Sequence, residues 1–246
     1  MYESLLEEMD GATACCDERE RASSSEAVVS YDTLAELLPD DDAIVLTEPE
    51  VAGGFAYRLA KRAFDVAACG AALLVLLVPM AVIAAKIKLE SPGPVIYRQC
   101  RVGKDGRLFD VYKFRTMRTD AEASGAQWAH EDDPRVTSFG RFLRSTRLDE
   151  VPQFVNVIKG EMSLVGPRPE RPVFCEAFEK RIRGWHYRTL VAPGISGLAQ
   201  VEGGYDLLPK EKVLLDLEYI ESRSLAMDWS LIWRTLHTMI TGNGAR

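Results

Sequence analysis

The longest hydrophobic run in the chain extends from Val66 to Ala85 and contains no charged residue. At about 1.5 Å per helical residue, these twenty residues match the roughly 30 Å hydrocarbon core of a bilayer. A buried core helix of a soluble protein is the alternative, but the length of the run and its apolar character on all sides favour a membrane. The run therefore predicts a membrane helix at about residues 61–88.

Two features of this segment argue against a simple crossing. Pro79 lies inside it, where the missing N–H and the clash of the ring with the preceding turn bend a helix. Basic residues flank both ends, with Lys61 and Arg62 before the run and Lys86 and Lys88 after it. A crossing helix usually carries more basic residues on its cytoplasmic side. The sequence predicts a helix that enters the membrane, bends and returns to the same face, with a single span as the alternative.

Beyond Pro94 the chain alternates hydrophobic and polar positions in the way that is typical of strands. Residues 95–102 and 107–114 show this alternation on either side of residues 103–106, a Gly-Lys-Asp-Gly sequence that favours a turn. We therefore expect a β-hairpin. Helical periodicity is clearest in residues 153–159, 210–220 and 228–240.

The last of these segments carries Trp229, Trp233 and Leu236 on the same face as Ile232 and Ile240. Such a face suits core packing, the usual role of an amphipathic helix, and equally a helix that lies in the membrane interface. The whole pattern predicts an α+β fold class. We expect a mainly helical monotopic membrane protein with a kinked re-entrant hydrophobic helix, a small β-hairpin and interfacial amphipathic helices.

Net charge divides the chain into two parts. Residues 1–50 contain fifteen acidic and two basic residues, whereas residues 51–246 carry a formal charge of +6 within a total of −7. The first part indicates an acidic, flexible extension, which we assign to residues 1–57, with a small partner-binding element near residues 31–46 as the alternative. Residues 58–246 form the second unit. Its basic balance suits an anionic membrane surface, and nothing in the composition indicates a nucleic-acid partner.

The cysteines and histidines do not indicate a metal site. The five cysteines form no Cys-X-X-Cys pair, and the three histidines lie far from one another and from the cysteines in sequence. We therefore expect reduced thiols and no zinc site. The acidic N-terminus lacks the basic region of a signal peptide, so we do not expect an exported protein.

Candidate chemistry is concentrated between Lys113 and Glu170, where cations and acids alternate, whereas the sequence lacks the motifs of P-loop proteins, dinucleotide oxidoreductases, serine hydrolases and zinc proteases. Asp149 and Glu150 precede Pro152, which suits the first turn of a helix. In the simplest interpretation one of these carboxylates caps the helix. In the other, the pair binds a divalent cation and offers a nucleophile to a phosphorus centre. The two acids alone do not decide between these roles.

Several basic residues accompany the acid pair in the sequence. Lys113 and Arg115 end the hairpin, Arg144 precedes the acids, and Arg168 lies between two prolines. Lysine and especially the forked guanidinium of arginine bind phosphate oxygens well. These cations indicate a diphosphate ligand, and a basic surface that faces anionic lipid is the alternative for some of them.

At these positions the sequence resembles the bacterial sugar transferase family, the monotopic phosphoglycosyl transferases that start polysaccharide and glycoconjugate assembly. The resemblance covers about residues 58–244 in the order of the family's motifs. The matching segments are KRAFD (61–65), SPGP (91–94), YRQCRVG (97–103), KFRTM (113–117), DPRVT (133–137), LDEVPQ (148–153), NVIKGEMSLVGPRP (156–169) and PGISGLAQ (193–200).

The resemblance implies transfer of a phosphosugar from a nucleotide diphosphate sugar, normally UDP-linked, to a polyprenol phosphate such as undecaprenyl phosphate. In such enzymes the aspartate of the acid pair attacks the β-phosphate and forms a covalent intermediate, which assigns catalysis to Asp149 and Glu150. The same two residues are assigned to metal binding, with Mg2+ as the cofactor and Mn2+ as the alternative. The implied substrate-binding residues are Lys113, Arg115, Arg144, Gln153 and Arg168.

The resemblance also implies a location and partners. We expect attachment to one leaflet of the bacterial cytoplasmic membrane, with the catalytic domain, residues 58–246, on the cytoplasmic side. Besides the two substrates and the membrane, downstream glycosyltransferases or further copies of the chain are candidate partners. A catalytically inactive, membrane-anchored scaffold that recruits glycan assembly enzymes is the alternative function, and the intact Asp-Glu pair argues against it.

Overall fold

The computed structural model describes residues 37–38, 43–121, 133–203 and 207–241. Within these ranges the chain is mostly helical, with short strands in three two-stranded sheets, which confirms the α+β class. The helices are α1 (Phe55–Glu90), α2 (Ser138–Ser145), α3 (Gln153–Lys159), α4 (Pro172–Arg181), α5 (Leu198–Glu202), α6 (Pro209–Ser222) and α7 (Leu225–Thr241). The strands are β1 (Ile44–Val45), β2 (Ile96–Val102), β3 (Leu108–Phe114), β4 (Ser163–Val165), β5 (Ile182–Arg183) and β6 (Gly194–Ser196). Short 3-10 helices occupy Lys104–Gly106, Leu148–Glu150 and Trp185–Leu190.

Helix α1 contains the predicted hydrophobic run and extends it at both ends to 36 residues. Within the described part of the chain it is the one helix long and apolar enough to cross a membrane. Its large apolar side chains are exposed, among them Leu74 (78%), Val75 (77%) and Val78 (70%). The buried core helix of a soluble protein is therefore the wrong interpretation of this run. Pro79 lies inside the helix, and the bend there stays a prediction.

Both ends of α1 pack on the same globular part of the molecule. Near its start, Asp65 accepts hydrogen bonds from the Ser163 hydroxyl (2.7 Å) and the Leu164 backbone N–H (3.3 Å). Near its end, Ile83 and Ile87 are buried in a cluster with residues of the hairpin. The stretch between these two contacts carries Leu74, Val75 and Val78, so α1 is anchored at two points and has exposed apolar side chains between them.

Strands β2 and β3 pair antiparallel with Ile96 opposite Phe114 and Val102 opposite Leu108, which confirms the predicted hairpin. Helix α3 confirms the predicted segment 153–159. Asn156 joins the two elements, because its side chain accepts from the Tyr112 N–H (3.1 Å) and donates to the Asp110 carbonyl (2.7 Å). The completely buried Asn156 thus fixes the middle of β3 against α3.

The parallel pairing of β4 with β6 requires glycine. A Cβ atom added to Gly194 would lie 2.1 Å from the backbone nitrogen of Gly166, and one added to Gly197 would lie 2.3 Å from the Gly166 carbonyl oxygen. These distances are far below van der Waals contact, so the two strands approach this closely only without side chains. The segment that leaves β4 at Gly166 is consequently placed tightly against β6.

Helix α7 confirms the predicted segment 228–240 and docks on α1. Asp228 accepts hydrogen bonds from the Tyr57 hydroxyl (2.8 Å) and the Lys61 ammonium group (2.9 Å). Trp229 and Trp233 are 60% and 68% exposed. Core packing is therefore the wrong interpretation of these two side chains, and their placement in a membrane interface stays a prediction.

Most of the predicted acidic extension lies outside the described residues. Of its described part, Leu37 and Leu38 are buried in the core, and β1 pairs in parallel with β5. These residues contact the second unit, whereas Val45 beside them is 73% exposed. The flexible extension at residues 1–57 stays a prediction. Cys69 and Cys175 are free thiols, whereas Cys100 is disulfide-bonded, so the expectation of reduced cysteines is wrong at Cys100.

Candidate active site

The acid pair lies in a short 3-10 helix, Leu148–Glu150, between α2 and α3. Arg147, the residue before it, has a φ of 55°, in the left-handed region that non-glycine residues seldom adopt. Backbone strain of this kind persists where the surrounding structure enforces it, and it is common at functional sites. The reversal at Arg147 turns the chain so that both acids point into the protein.

Glu150 is 7% exposed, and its Oε1 atom accepts hydrogen bonds from two cations. The Lys113 ammonium group lies at 2.8 Å and the Arg168 guanidinium at 2.6 Å. Burial opposes ionisation, but the charges of Arg168 and Lys113 outweigh it and hold the pKa of Glu150 well below its usual range.

Since no side chain caps α3 at Pro152, the capping interpretation of the acid pair is wrong for this helix.

Asp149 is 8% exposed beside Glu150. Burial raises the pKa of its carboxyl group to about 6, and the negative charge of Glu150 adds to this against the opposing charge of Lys113. At neutral pH the group is therefore mostly ionised but poorly solvated. A carboxylate in that condition is suited to attack an electrophile, while Glu150 is suited to remain a fixed negative charge between cations.

The structure gives Arg144, Gln153 and Arg115 different surroundings. Arg144 donates from Nε to the Thr116 hydroxyl (3.0 Å), and its charge acts on Asp149. Gln153, 2% exposed, begins α3 just after the acids. Arg115 instead donates to the carbonyl of Ser91 (2.7 Å), which follows the end of α1. The structure thus brings together Lys113, Asp149, Glu150 and Arg168, and it directs Arg115 to the membrane helix; phosphate contact by Arg115 stays a prediction.

Sequence reasoning missed the residues that fix these side chains. Asn156 fixes β3 next to Lys113, and Arg188 donates to the backbone carbonyl of Arg168 (2.9 Å). Arg188 itself is paired with the buried Asp216 of α6. The sequence contains one signal for such a pair. Lys212 and Asp216 lie four residues apart, so they share one face of a predicted helix, and that helix also had to pack on the protein.

Comparison of the sequence with known proteins places the chain in a family. The model of the bacterial sugar transferase family matches residues 56–242. A UDP-N-acetylgalactosamine-undecaprenyl-phosphate N-acetylgalactosaminephosphotransferase of Aeromonas hydrophila is 46% identical over 193 residues, which are 77% of this chain and 46% of that protein.

Two relatives are named as UDP-glucose:undecaprenyl-phosphate glucose-1-phosphate transferases. The protein from Escherichia coli is 44% identical over 184 residues, 73% of this chain and 40% of its own length. The protein from Caulobacter vibrioides is 40% identical over 196 residues, 77% of this chain and 73% of its own length. The chain thus spans less than half the length of two of these relatives and about three quarters of the third. It belongs to the bacterial sugar transferase family.

Proposed function

We propose that this protein transfers a sugar-1-phosphate group from a UDP-sugar to undecaprenyl phosphate, the first membrane step of a polysaccharide or glycoconjugate synthesis. The observation that carries the proposal is the buried Asp149–Glu150 pair, with Lys113 and Arg168 bound to Glu150, in a member of this family. The relatives named above act on N-acetylgalactosamine or glucose donors. Because these two donors carry different sugars, the type of reaction does not determine which sugar this protein transfers.

In the first half-reaction, a carboxylate oxygen of Asp149 attacks the β-phosphorus of the donor. A bond forms between that oxygen and phosphorus, and the bond from phosphorus to the bridging oxygen of the diphosphate breaks. The nucleoside monophosphate leaves with the bonding electron pair, and the phosphosugar stays on Asp149 as an acyl phosphate. Since the pKa of Asp149 is about 6, the nucleophile is ionised at neutral pH without being strongly solvated.

In the second half-reaction, a phosphate oxygen of the polyprenol phosphate attacks the same phosphorus atom. The bond to Asp149 breaks, the free carboxylate returns, and the product is a polyprenyl diphosphate sugar. A two-step route lets a water-soluble donor and a membrane-bound acceptor use one site in turn. Arg144, which also acts electrostatically on Asp149, and Lys113 are suited to the negative charge on both substrates.

We also propose that Asp149 and Glu150 bind Mg2+ together with the donor. Mg2+ is commonly bound through one or two carboxylates and the phosphates of a substrate, and two adjacent carboxylates fit that set. In the part of the chain that the structure describes, no group of three His, Cys, Asp or Glu residues is placed for a metal ion, so phosphate and water would complete the shell. When bound, the ion would neutralise charge on the diphosphate.

We infer that α1 re-enters the membrane rather than spanning it. A spanning helix would carry one end to the face opposite the globular part, but Asp65 near the start and Ile87 near the end both pack on that part. The exposed apolar stretch around Val75 and the proline at position 79 lie between the two anchors. A bend near Pro79 would bring both ends to one face, which we assign to the cytoplasmic side of the inner membrane.

A release assay tests the proposed reaction. Purified protein in lipid vesicles with Mg2+ is offered a panel of UDP-sugars, first without and then with undecaprenyl phosphate. We expect one donor to give a stoichiometric burst of uridine monophosphate without the lipid and repeated turnover with it. The Asp149→Asn variant should abolish both, because an amide cannot form the acyl phosphate.

The matched control is Asp105→Asn in the hairpin turn, since Asp105 is an exposed carboxylate remote from the acid pair in sequence. It should retain burst and turnover. Undiminished turnover in Asp149→Asn would remove Asp149 from its assigned role. Absence of release with every donor would contradict the enzymatic function and leave the scaffold as the better explanation.

A further inference from the structure

The segment that presents Arg168 to Glu150 is fixed to an unusual degree. Pro167 and Pro169 restrict φ on both sides of Arg168 and remove two backbone N–H donors. All four carbonyl groups of residues 167–170 accept hydrogen bonds from neighbouring elements. In chain order, the donors are the Gly194 N–H (2.9 Å), Arg188 (2.9 Å), Arg101 (3.1 Å) and the Val102 N–H (2.9 Å).

The contact at the carbonyl of Arg168 itself is supplied by a buried ion pair. The guanidinium of Arg188 donates there and also to Oδ2 of Asp216, with Nε at 3.0 Å. Both side chains are buried, at 4% and 1% exposure. The guanidinium also lies 4.5 Å from the ring of Trp185. A planar fork can serve all of these contacts together, whereas an ammonium group cannot.

A second buried pair fixes the end of the same segment. Glu170 accepts from Lys212 and, at 3.2 Å, from Arg101. Lys212 and Asp216 are one turn apart on α6, so this helix is joined to residues 168–170 through Arg188 and Glu170. Buried ion pairs contribute little net stability compared with apolar packing, which makes a positioning role a sufficient reason for charges at this place.

We propose that Arg188 and Asp216 are positioning residues for the transfer reaction, acting through Arg168. By fixing the carbonyl of Arg168, the pair fixes where its guanidinium meets Glu150 and therefore the charge next to Asp149. A displacement of about 1 Å at a reacting group can cost about a hundredfold in rate. The expected effect on the reaction rate rests on the proposed function. The fixed position of the Arg168 carbonyl rests on the described contacts alone.

The kinetic test separates positioning from mere stability by measuring burst amplitude and burst rate constant separately. In Arg188→Lys and Asp216→Asn we expect the amplitude per folded molecule to be kept and the rate constant to fall about tenfold or more. A purely structural pair would lower the yield of folded protein and leave the burst rate constant of the folded molecules unchanged. That result would overturn the proposal.

Two further variants sharpen the test. Arg223→Lys is the matched control, because Arg223 also donates to a backbone carbonyl, that of Ala52 (2.6 Å), and also lies over an aromatic ring, that of Tyr57 (5.4 Å). It should stay within about twofold of the parent, as expected for a residue away from the site. In an Arg168→Ala background, Arg188→Lys should have no additional effect on the rate constant. A full additional effect would show that Arg188 does not act through Arg168.

Amide hydrogen exchange of residues 163–176 distinguishes this proposal from the proposed function. Arg188→Lys should increase exchange in that peptide, and Arg223→Lys should not, because the first variant frees the carbonyl of Arg168. Unchanged exchange in Arg188→Lys would overturn the positioning role even in an active protein. A parent protein without any burst would contradict the proposed function, and increased exchange would then still support the structural part of the inference.

Discussion

Helix α1 exposes apolar side chains, whereas the interior next to Arg168 buries charged ones. On α1, leucine and valine side chains are 70% or more exposed at positions such as Leu74 and Val75. Behind the acid pair, Glu170, Arg188 and Asp216 are at most 6% exposed. In a water-soluble protein the apolar groups would be inside and the charges outside.

The difference indicates what each region contacts. Exposed side chains over several turns of α1 require a surrounding that is less polar than water, because large exposed apolar patches mark contact sites. Buried charges require partners within the protein, because an unpaired buried charge is very unfavourable. The apolar surface of α1 is thus explained by a contact outside the chain. The buried charges are explained by the side chains that they hold in place inside the protein.

The largest effect should come from removing a buried charge, that of Glu170. Glu170→Gln leaves Lys212 and Arg101 without their carboxylate, so we expect the free energy of unfolding to fall by about 3 to 5 kcal/mol at pH 7. Denaturant unfolding in detergent measures it. The control, Glu202→Gln, removes the partner of Arg234 in a pair that is 44% exposed on both sides, and it should change stability by about 0.5 kcal/mol or less.

The same residue predicts an acid limb of stability. Lys212 and Arg101 outweigh the burial of Glu170 and lower its pKa from 4.5 to about 2. A carboxyl group with a lowered pKa contributes stability that is complete above its unfolded pKa and is lost as pH falls through its folded pKa. The parent should therefore lose stability between pH 4.5 and pH 2 more steeply than Glu170→Gln. Parallel curves for the two proteins would contradict the assignment.

The next effect concerns the exposed side. Val75→Lys places a charge in the middle of α1, and we expect partition into lipid vesicles to weaken by about 2.5 to 3.5 kcal/mol. Val45→Lys in β1 is the matched control, because Val45 is 73% exposed and Val75 is 77% exposed. Flotation of the purified variants with vesicles measures the partition. Equal loss in both variants would show that exposure of valine does not identify the membrane contact.

A smaller effect is expected on the pH dependence of the first half-reaction. The pKa of Asp149 is raised to about 6, and the nucleophile must be ionised. Below that pH the burst rate constant should fall about tenfold per pH unit, which corresponds to about 1.4 kcal/mol per unit, and above it the rate should reach a plateau. Rapid-quench measurements between pH 5 and pH 8 test this. The profile is measured at several Mg2+ concentrations, because a bound cation lowers the pKa of a carboxylate. A flat profile down to pH 5 at the lowest Mg2+ concentration that supports the burst would contradict the raised pKa of Asp149.

The smallest effect concerns the contact that joins the exposed surfaces of α1 and α7. Phe64 and Trp229 meet edge to face with ring centroids 5.9 Å apart. A double-mutant cycle of Phe64→Leu and Trp229→Leu, measured by unfolding in detergent, should give a coupling energy of about 0.5 to 1.5 kcal/mol. The cycle of Phe64→Leu with Trp233→Leu should be additive, because Trp233 lies one turn further along α7. Coupling in the second cycle alone would contradict the contact.

Elements with a strong local pattern could be predicted from the sequence. The hairpin was expected at residues 95–102 and 107–114 and forms at Ile96–Val102 and Leu108–Phe114, and α3 has the predicted bounds. Short elements without such a pattern, such as the glycine-dependent parallel pair of β4 and β6, could not be predicted. Their stability comes from contacts with distant segments and not from their own residues.

The candidate site divides in the same way. Asp149 and Glu150 are recognisable in the sequence as an adjacent pair, and Arg168 is recognisable by its flanking prolines. Arg115 and Lys113 both lie at the end of the hairpin in the sequence, yet Arg115 donates to carbonyls that follow α1. Arg115 lies beyond the last ladder residue of β3, where strand alternation no longer determines the direction of a side chain.

The sequence by itself determined the membrane-seeking run, the hairpin, the acid pair and the family, because each depends on residues that are adjacent or regularly spaced. The tertiary structure alone decided which cations meet Glu150, where each end of α1 packs, and which ion pair fixes the carbonyl of Arg168. Lys113 and Glu150 are 37 residues apart, and Arg188 and Asp216 are 28 apart. No local spacing connects such residues, since their meeting depends on how the packed elements bring distant segments together.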